Sequence, residues 1–208
     1  VTDWSAWHAE YDDPDSYLVH RLRIVQGEIA AWLAAQPDGP LRAVAACAGE
    51  GRDLLPVLAA APDGKRVRAR LVELDPVLAA RAEDTARAAG LDVEVVRGDA
   101  GLTDTYAGAV PAGLVLMCGV FGNIPDDDIP RTVGTLPSLC ADGATVIWTR
   151  TRRAPDLTPA VRRWFAEAGF AEVAWHAPEG EEFSVGVHRL TAPPRPLETG
   201  RRMFAFGP

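Results

Sequence analysis

The chain has 208 residues, 48% hydrophobic and 24% charged, which is one domain's worth of an ordinary globular protein and too little for two. Its formal net charge of −8 opposes phosphate-rich partners, so no nucleic acid is expected, and no apolar run is long enough to span a bilayer, so no membrane association is expected. Cys47, Cys118 and Cys140 lie far apart without metal-ligand spacing, which predicts a reduced, cytoplasmic, metal-free protein with no signal peptide at its aromatic and acidic N-terminus.

In chain order, the first element is a helix. Asp13 reads as its cap and Pro14 as its first residue. Leu18, Leu22, Val25, Ile29 and Trp32 recur at helical spacing, and Pro37, Gly39 and Pro40 end the element. Leu41–Cys47 reads as a buried strand and Asp53–Ala61 as a helix. Residues 66–73 alternate as a strand, and Asp75-Pro76 starts another helix, with Leu78, Ala82, Ala86 and Ala89 inward and Gly90 ending it. Residues 92–98 and 112–119 are strands. Ile129, Val133, Leu136 and Leu139 mark a helix, residues 143–150 form a β-branched strand, and Thr158-Pro159 opens the last helix. Then FAEVAWH, FSVGVHRL and RRMFAF are strand-like, without helices between them. Five strand–helix alternations imply a parallel α/β sheet covered on both faces, and the closing strands imply an antiparallel edge. The first helix precedes the first strand, so it is free to lie over the carboxyl edge of the sheet. We therefore divide the chain into an N-terminal helical lid, 1–40, and a ligand-binding domain, 41–208.

The first strand runs into Gly49-Glu50-Gly51, where a dinucleotide site would need a third glycine and a pyrophosphate would need relief from negative charge. The third glycine is absent, and Glu50 and Asp53 add negative charge. A nicotinamide-dependent oxidoreductase is thereby disfavoured, and a cationic cofactor without phosphates fits better; S-adenosylmethionine is one. Glu73 ends the second strand and can accept from both ribose hydroxyls. Asp99 and Ala100 follow the third strand, where the acid can accept from an adenine amine and the amide can face a ring nitrogen. Singly, these residues also read as a turn glycine, a solvated strand end and a helix cap. Their succession at consecutive strand ends is what points to a cofactor.

At these residues the sequence resembles the class I S-adenosylmethionine-dependent methyltransferases. VAACAGEGRDLL is similar to the first motif of that family, LVELDPVLAARAE to its second, VVRGDAG to its third and AGLVLMCGVFGNIPDDDI to its fourth; the likeness runs over about residues 41–190. The resemblance implies a Rossmann-like, seven-stranded, mostly parallel sheet of order 3-2-1-4-5-7-6 with strand 7 antiparallel. It implies that Gly49 and Gly51 pass under the cofactor, that Glu73 with Leu74 holds the ribose, and that Asp99 and Ala100 hold the adenine. Cys118, Gly119 and Val120 would lie along the cofactor. One departure stands out. The family usually has Asp or Glu where this chain has Cys47, and a thiol cannot supply that charge to the cofactor's amino group; Asp53 or Glu50 would have to substitute. Tyr17 and Arg21 on the first helix are candidates for the cofactor's carboxylate.

A hydroxyl or carboxyl acceptor calls for a base of pKa near neutrality, which suits histidine. His8, beside Trp4 and Trp7, and His188, on an alternating strand, are the catalytic candidates, although proximity alone can suffice. Trp4, Trp7, Phe121 and Asn123 are the substrate candidates. The Asn/Asp-Pro-Pro-Tyr/Phe motif of amine methylation is missing. The expectation is methyl transfer to a small-molecule acceptor, with O-methylation preferred, by a monomer or homodimer with S-adenosylhomocysteine as product. The alternative is a non-catalytic S-adenosylmethionine-binding or regulatory protein on the same fold.

Overall fold

The computed structural model describes Asp13 and residues 16–206. The order is α1 (Tyr17–Ala34), β1 (Leu41–Ala46), α2 (Leu55–Ala60), β2 (Val67–Glu73), α3 (Pro76–Ala89), β3 (Val93–Arg97), β4 (Ala112–Met117), α4 (Asp128–Thr135), β5 (Cys140–Thr151), α5 (Thr158–Glu167), β6 (Phe170–His176) and β7 (Phe183–Leu190). The strands form one sheet in the order β3-β2-β1-β4-β5-β7-β6. β7 is antiparallel to both of its neighbours, and the other pairings are parallel. β1 and β4 lie side by side while their following crossovers leave in opposite directions, which opens a crevice at their carboxyl ends.

Period-two alternation along the central strands builds a core on each face of the sheet. On β4, Val115 and Met117 point to one core with Val146, Trp148 and Phe165, while Leu114 and Leu116 join the other with Ile29, Leu55 and Ile147. α1 belongs to the second core through Val25, Ile29, Trp32 and Leu33, all buried. Trp148 stacks on Phe165 at 5.7 Å between ring centroids. It lies opposite Gly186 of β7, where a Cβ would stand 2.4 Å from the indole ring, so glycine makes room for the tryptophan.

Local chemistry sets the element ends. Asp75 caps α3, its carboxylate accepting from the backbone N–H groups of Val77 and Leu78, and Gly90 ends the helix at φ 63°. Three expectations need correction. Ser16, not Asp13, caps α1, accepting from the Val19 N–H at 3.2 Å. Leu157 occupies the cap position of α5, and Asp156 receives hydrogen bonds from the Thr158 backbone and hydroxyl. Residues 201–206 are not a strand of the sheet; they form one isolated antiparallel bridge, Leu102 to Arg202. Their alternation reflects a strap whose Met203 and Phe204 are fully buried against the chain beyond β3.

Candidate active site

The glycine turn is built on left-handed backbone. Gly49 and Gly51 have φ of 55° and 75°, and Cys47, a non-glycine residue, has φ of 51°. Such a conformation costs a side-chain-bearing residue about 1–2 kcal/mol. Surrounding bonds hold it: Ala48 N–H donates to Val72 O at 3.0 Å, and Gly49 N–H donates to Glu73 Oε2 at 2.7 Å. The other oxygen of Glu73 accepts from Asp75 N–H at 2.8 Å. One carboxylate at the end of β2 therefore ties the turn after β1 to the start of α3. From the other side, Gln26 of α1 donates to Arg52 O at 2.8 Å.

These elements surround a cavity of about 330 Å³ at the carboxyl ends of β1, β2, β3 and β4. Of the residues anticipated as cofactor contacts, Arg21, Cys47, Gly49, Glu73, Leu74, Asp99, Ala100, Cys118 and Gly119 line it. Gly51 does not. A Cβ there would meet Leu55 at 2.6 Å and Leu71 at 2.9 Å, so this glycine serves the packing of α2 beneath the turn. Val120 is fully buried in the core. Tyr17 lines a second cavity of about 440 Å³, with Thr149, Arg150, Thr151, Arg153, Glu181 and Glu182. Arg21, Gly119 and Asn123 border both cavities, so the two adjoin.

The charges fall into two groups. At one end Asp53 lies beside Arg21 and Cys118; burial raises the Asp53 carboxyl, against the opposing pull of Arg21. The Cys47 thiol is pushed well up by burial and by the carboxylates of Glu73 and Asp99, so it stays neutral. Glu50 faces away, paired with Arg52 and Arg81. Of the two acids able to stand in for the missing carboxylate, Asp53 lines the cavity and Glu50 does not. At the other end Asp99 accepts from Gly101 N–H at 2.8 Å and from Arg202 at 2.9 Å.

The catalytic and substrate candidates fare differently. His8, Trp4 and Trp7 lie outside the described residues. His188 is 1% exposed, stacked on Phe165 at 4.3 Å, and its Nδ1 accepts from Trp148 Nε1 at 3.1 Å. It borders neither cavity, which corrects its assignment as a base: alternation placed it on a single face, and α5 covers that face. Phe121 is likewise a core residue and no wall of the cleft, packed 5.8 Å from Trp148 and 6.2 Å from Phe165. Arg150 holds the loop in that position, donating to Phe121 O and to Asp126. Asn123 does border the cleft, with its amide donating to Gly119 O at 2.7 Å. His20, set aside from the sequence as an exposed helix residue, has its Nδ1 2.7 Å from Glu181 of the second cavity; the sequence reading missed Phe206, which lines the first.

No protein-family model matches the sequence, and neither does any curated protein. Solved structures do match. Magnesium protoporphyrin IX methyltransferase (ChlM) from Synechocystis PCC 6803, with bound SAM, superimposes at a TM-score of 0.69 over 91% of this chain and 92% of its own, at 14% identity. The fold is that of the class I methyltransferases. An O-methyltransferase family protein from Burkholderia thailandensis aligns at a TM-score of 0.67, 16% identity, over 91% of this chain and 61% of that one. The cyclase SpnF aligns at 0.62 and 14% identity, over 85% and 82%. At these identities the likeness speaks to the fold, and the chemistry rests on the residues of the cleft.

Proposed function

We propose that this chain transfers a methyl group from S-adenosylmethionine to a small-molecule acceptor, with an oxygen acceptor preferred. The observation that carries this reading is the charge pattern of the first cavity: Asp53 and Arg21 at one end, Glu73 in the middle and Asp99 at the other. That pattern fits a ligand with an ammonium and a carboxylate, then a ribose, then an adenine. Four carboxylates, Asp53, Glu73, Asp75 and Asp99, line the cavity against two guanidinium groups, Arg21 and Arg52, and that excess of negative charge opposes a pyrophosphate. When bound, S-adenosylmethionine supplies the activated methyl group. Arg21 binds its carboxylate, Asp53 takes the amino group in place of the absent acid at position 47, and Glu73 accepts from the ribose hydroxyls. A carboxylate has about four acceptor sites, so the two backbone bonds Glu73 already makes leave room for both.

The second cavity is the acceptor site in this reading, because it meets the first along Gly119 and Asn123. Its two carboxylates are Glu181, held by His20, and Glu182, paired with Arg153. A carboxylate there supports an acceptor that must lose a proton, which an oxygen acceptor does. Among the described residues no histidine lines either cavity. Most of the acceleration then comes from holding acceptor and methyl donor together. Helix α1 borders both cavities, through Arg21 in the first and Tyr17 and Arg21 in the second, which supports a covering role for this helix.

The test is binding followed by turnover. S-adenosylhomocysteine should raise the melting temperature and titrate in a calorimeter, and NAD should do neither. Glu73→Ala should weaken binding about tenfold or more, as loss of a hydrogen bond to a charged group predicts. A response to NAD without one to S-adenosylhomocysteine would overturn the reading. Release of S-adenosylhomocysteine in the presence of hydroxyl- or carboxyl-bearing acceptors then separates a methyltransferase from a binder.

A further inference from the structure

The geometry points to residues 201–206 as a detached wall of the cofactor cavity, with Phe206 as the aromatic face against the adenine; this rests on the cofactor reading above. These residues lie about a hundred positions beyond the β3 turn they cover. Thr103 N–H donates to Arg201 O at 3.0 Å and Met203 N–H to Gly101 O at 2.7 Å, around the antiparallel bridge of Leu102 with Arg202. Past this bridge Phe204 O lies against Gly101, and the chain runs on to Phe206. Gly98, Asp99 and Ala100 all line the first cavity, and so does Phe206.

The strap is anchored well outside the cavity. Met203 O accepts from Arg131 and Thr132 of α4, each at 3.0 Å, and Ala205 N–H donates to Asp128 at 3.0 Å. Gly101 is glycine because the strap backbone passes over it: a Cβ would stand 2.1 Å from Phe204 O. Phe204 is fully buried and meets Phe206 edge-on, with ring planes at 89° and centroids 5.8 Å apart. Phe206 itself remains 38% exposed while the backbone just before it is held by the bonds of Met203 and Ala205. An aromatic ring fixed at the rim of a cavity, partly open to it, is suited to the face of a flat heterocycle. Arg202 completes the arrangement. Its bond to Asp99 Oδ2, with Gly101 N–H on Oδ1, holds that carboxylate at the adenine edge, which makes Arg202 a positioning residue.

The experiment is a calorimetric titration with two ligands, S-adenosylhomocysteine and 5′-methylthioadenosine, which share adenine and ribose but differ in the amino-acid end. Phe206→Ala should weaken both by the same factor, between about fivefold and a hundredfold, the range that stacking of one base on an aromatic side chain supplies. Phe206→Tyr should restore both to within a few-fold of the wild type. Gly101→Ala, whose Cβ would displace the strap at Phe204 O, should reproduce the loss, and its thermal melt checks that it folds. Unchanged affinity in Phe206→Ala, or a loss confined to S-adenosylhomocysteine, would overturn the proposal. Failure of the unmodified protein to bind either ligand would instead remove the cofactor assignment beneath it.

Discussion

On the proposed function, Cys47 stands where an acid would have answered the ammonium of the cofactor, and its thiol is neutral because burial and two nearby carboxylates oppose ionisation. The acid proposed to replace it is six residues along, Asp53, which lines the cavity together with Arg21. Replacing Asp53 by Asn keeps the shape and removes the charge. We expect Asp53→Asn to weaken S-adenosylhomocysteine about tenfold, as for one hydrogen bond to a charged group, and to leave 5′-methylthioadenosine unaffected. Equal losses for the two ligands would show that Asp53 acts on the fold of the turn and not on the amino group. The candidacy of Asp53 was legible from residue types alone. Its selection over Glu50 was not, because nothing in the order of residues says that Arg81, on another helix, would claim Glu50.

Among the elements, the turn between β1 and α2 joins fold and site most closely. Gly49 faces the cavity, whereas Gly51 lies against the side chains of Leu55 and Leu71. A Gly-x-Gly pair in a sequence looks like one motif, yet the two glycines answer different constraints. Gly51→Ala combines a strained φ of 75° with overpacking against two buried leucines. We expect it to lower unfolding free energy by about 2 kcal/mol or more in urea denaturation. A midpoint equal to wild type would mean that α2 can shift without cost. Strand and helix assignments came from period and punctuation, which are local properties, and they agree with the structure over most of their length. The strap has the alternation of a strand because alternation reports one buried face without naming what covers it. Residues 201–206 bury Met203 and Phe204 against the β3 turn and α4, beyond any window in which a period could be counted.

At the scale of the molecule, the antiparallel edge encloses His188 between Trp148, Phe165 and the side chain of Glu172, 3.7 Å from its Nε2. Burial lowers its pKa to about 4, with Glu172 opposing the shift. An unfolded histidine takes up a proton near pH 6.5, and this one does so only near 4, so the unfolded state binds more protons between those values. Stability therefore stands in full above pH 6.5 and falls as the pH drops through that window, by about 3 kcal/mol from this group. Denaturation of wild type and His188→Leu at pH 7 and pH 4 measures it. The wild type should lose about 3 kcal/mol more than the variant over that interval; parallel losses would show that His188 is protonated in the fold without penalty. His188, named as a base from its sequence, thus acts as an acid-sensitive member of the core.

The order of strands and helices, the glycine bend and the acids at successive strand ends were all readable along the chain, because each depends on residues close together. The parallel pairing of β1, β2 and β3 then brings Glu73 and Asp99 to one edge with the bend. Which of Glu50 and Asp53 lines the cavity, which aromatic ring borders it, and that His188 and Phe121 are core rather than cleft depended on packing between distant segments. Burial is a property of what arrives from elsewhere. Arg81, α5 and the strap each come from another part of the chain, and no local pattern records their arrival.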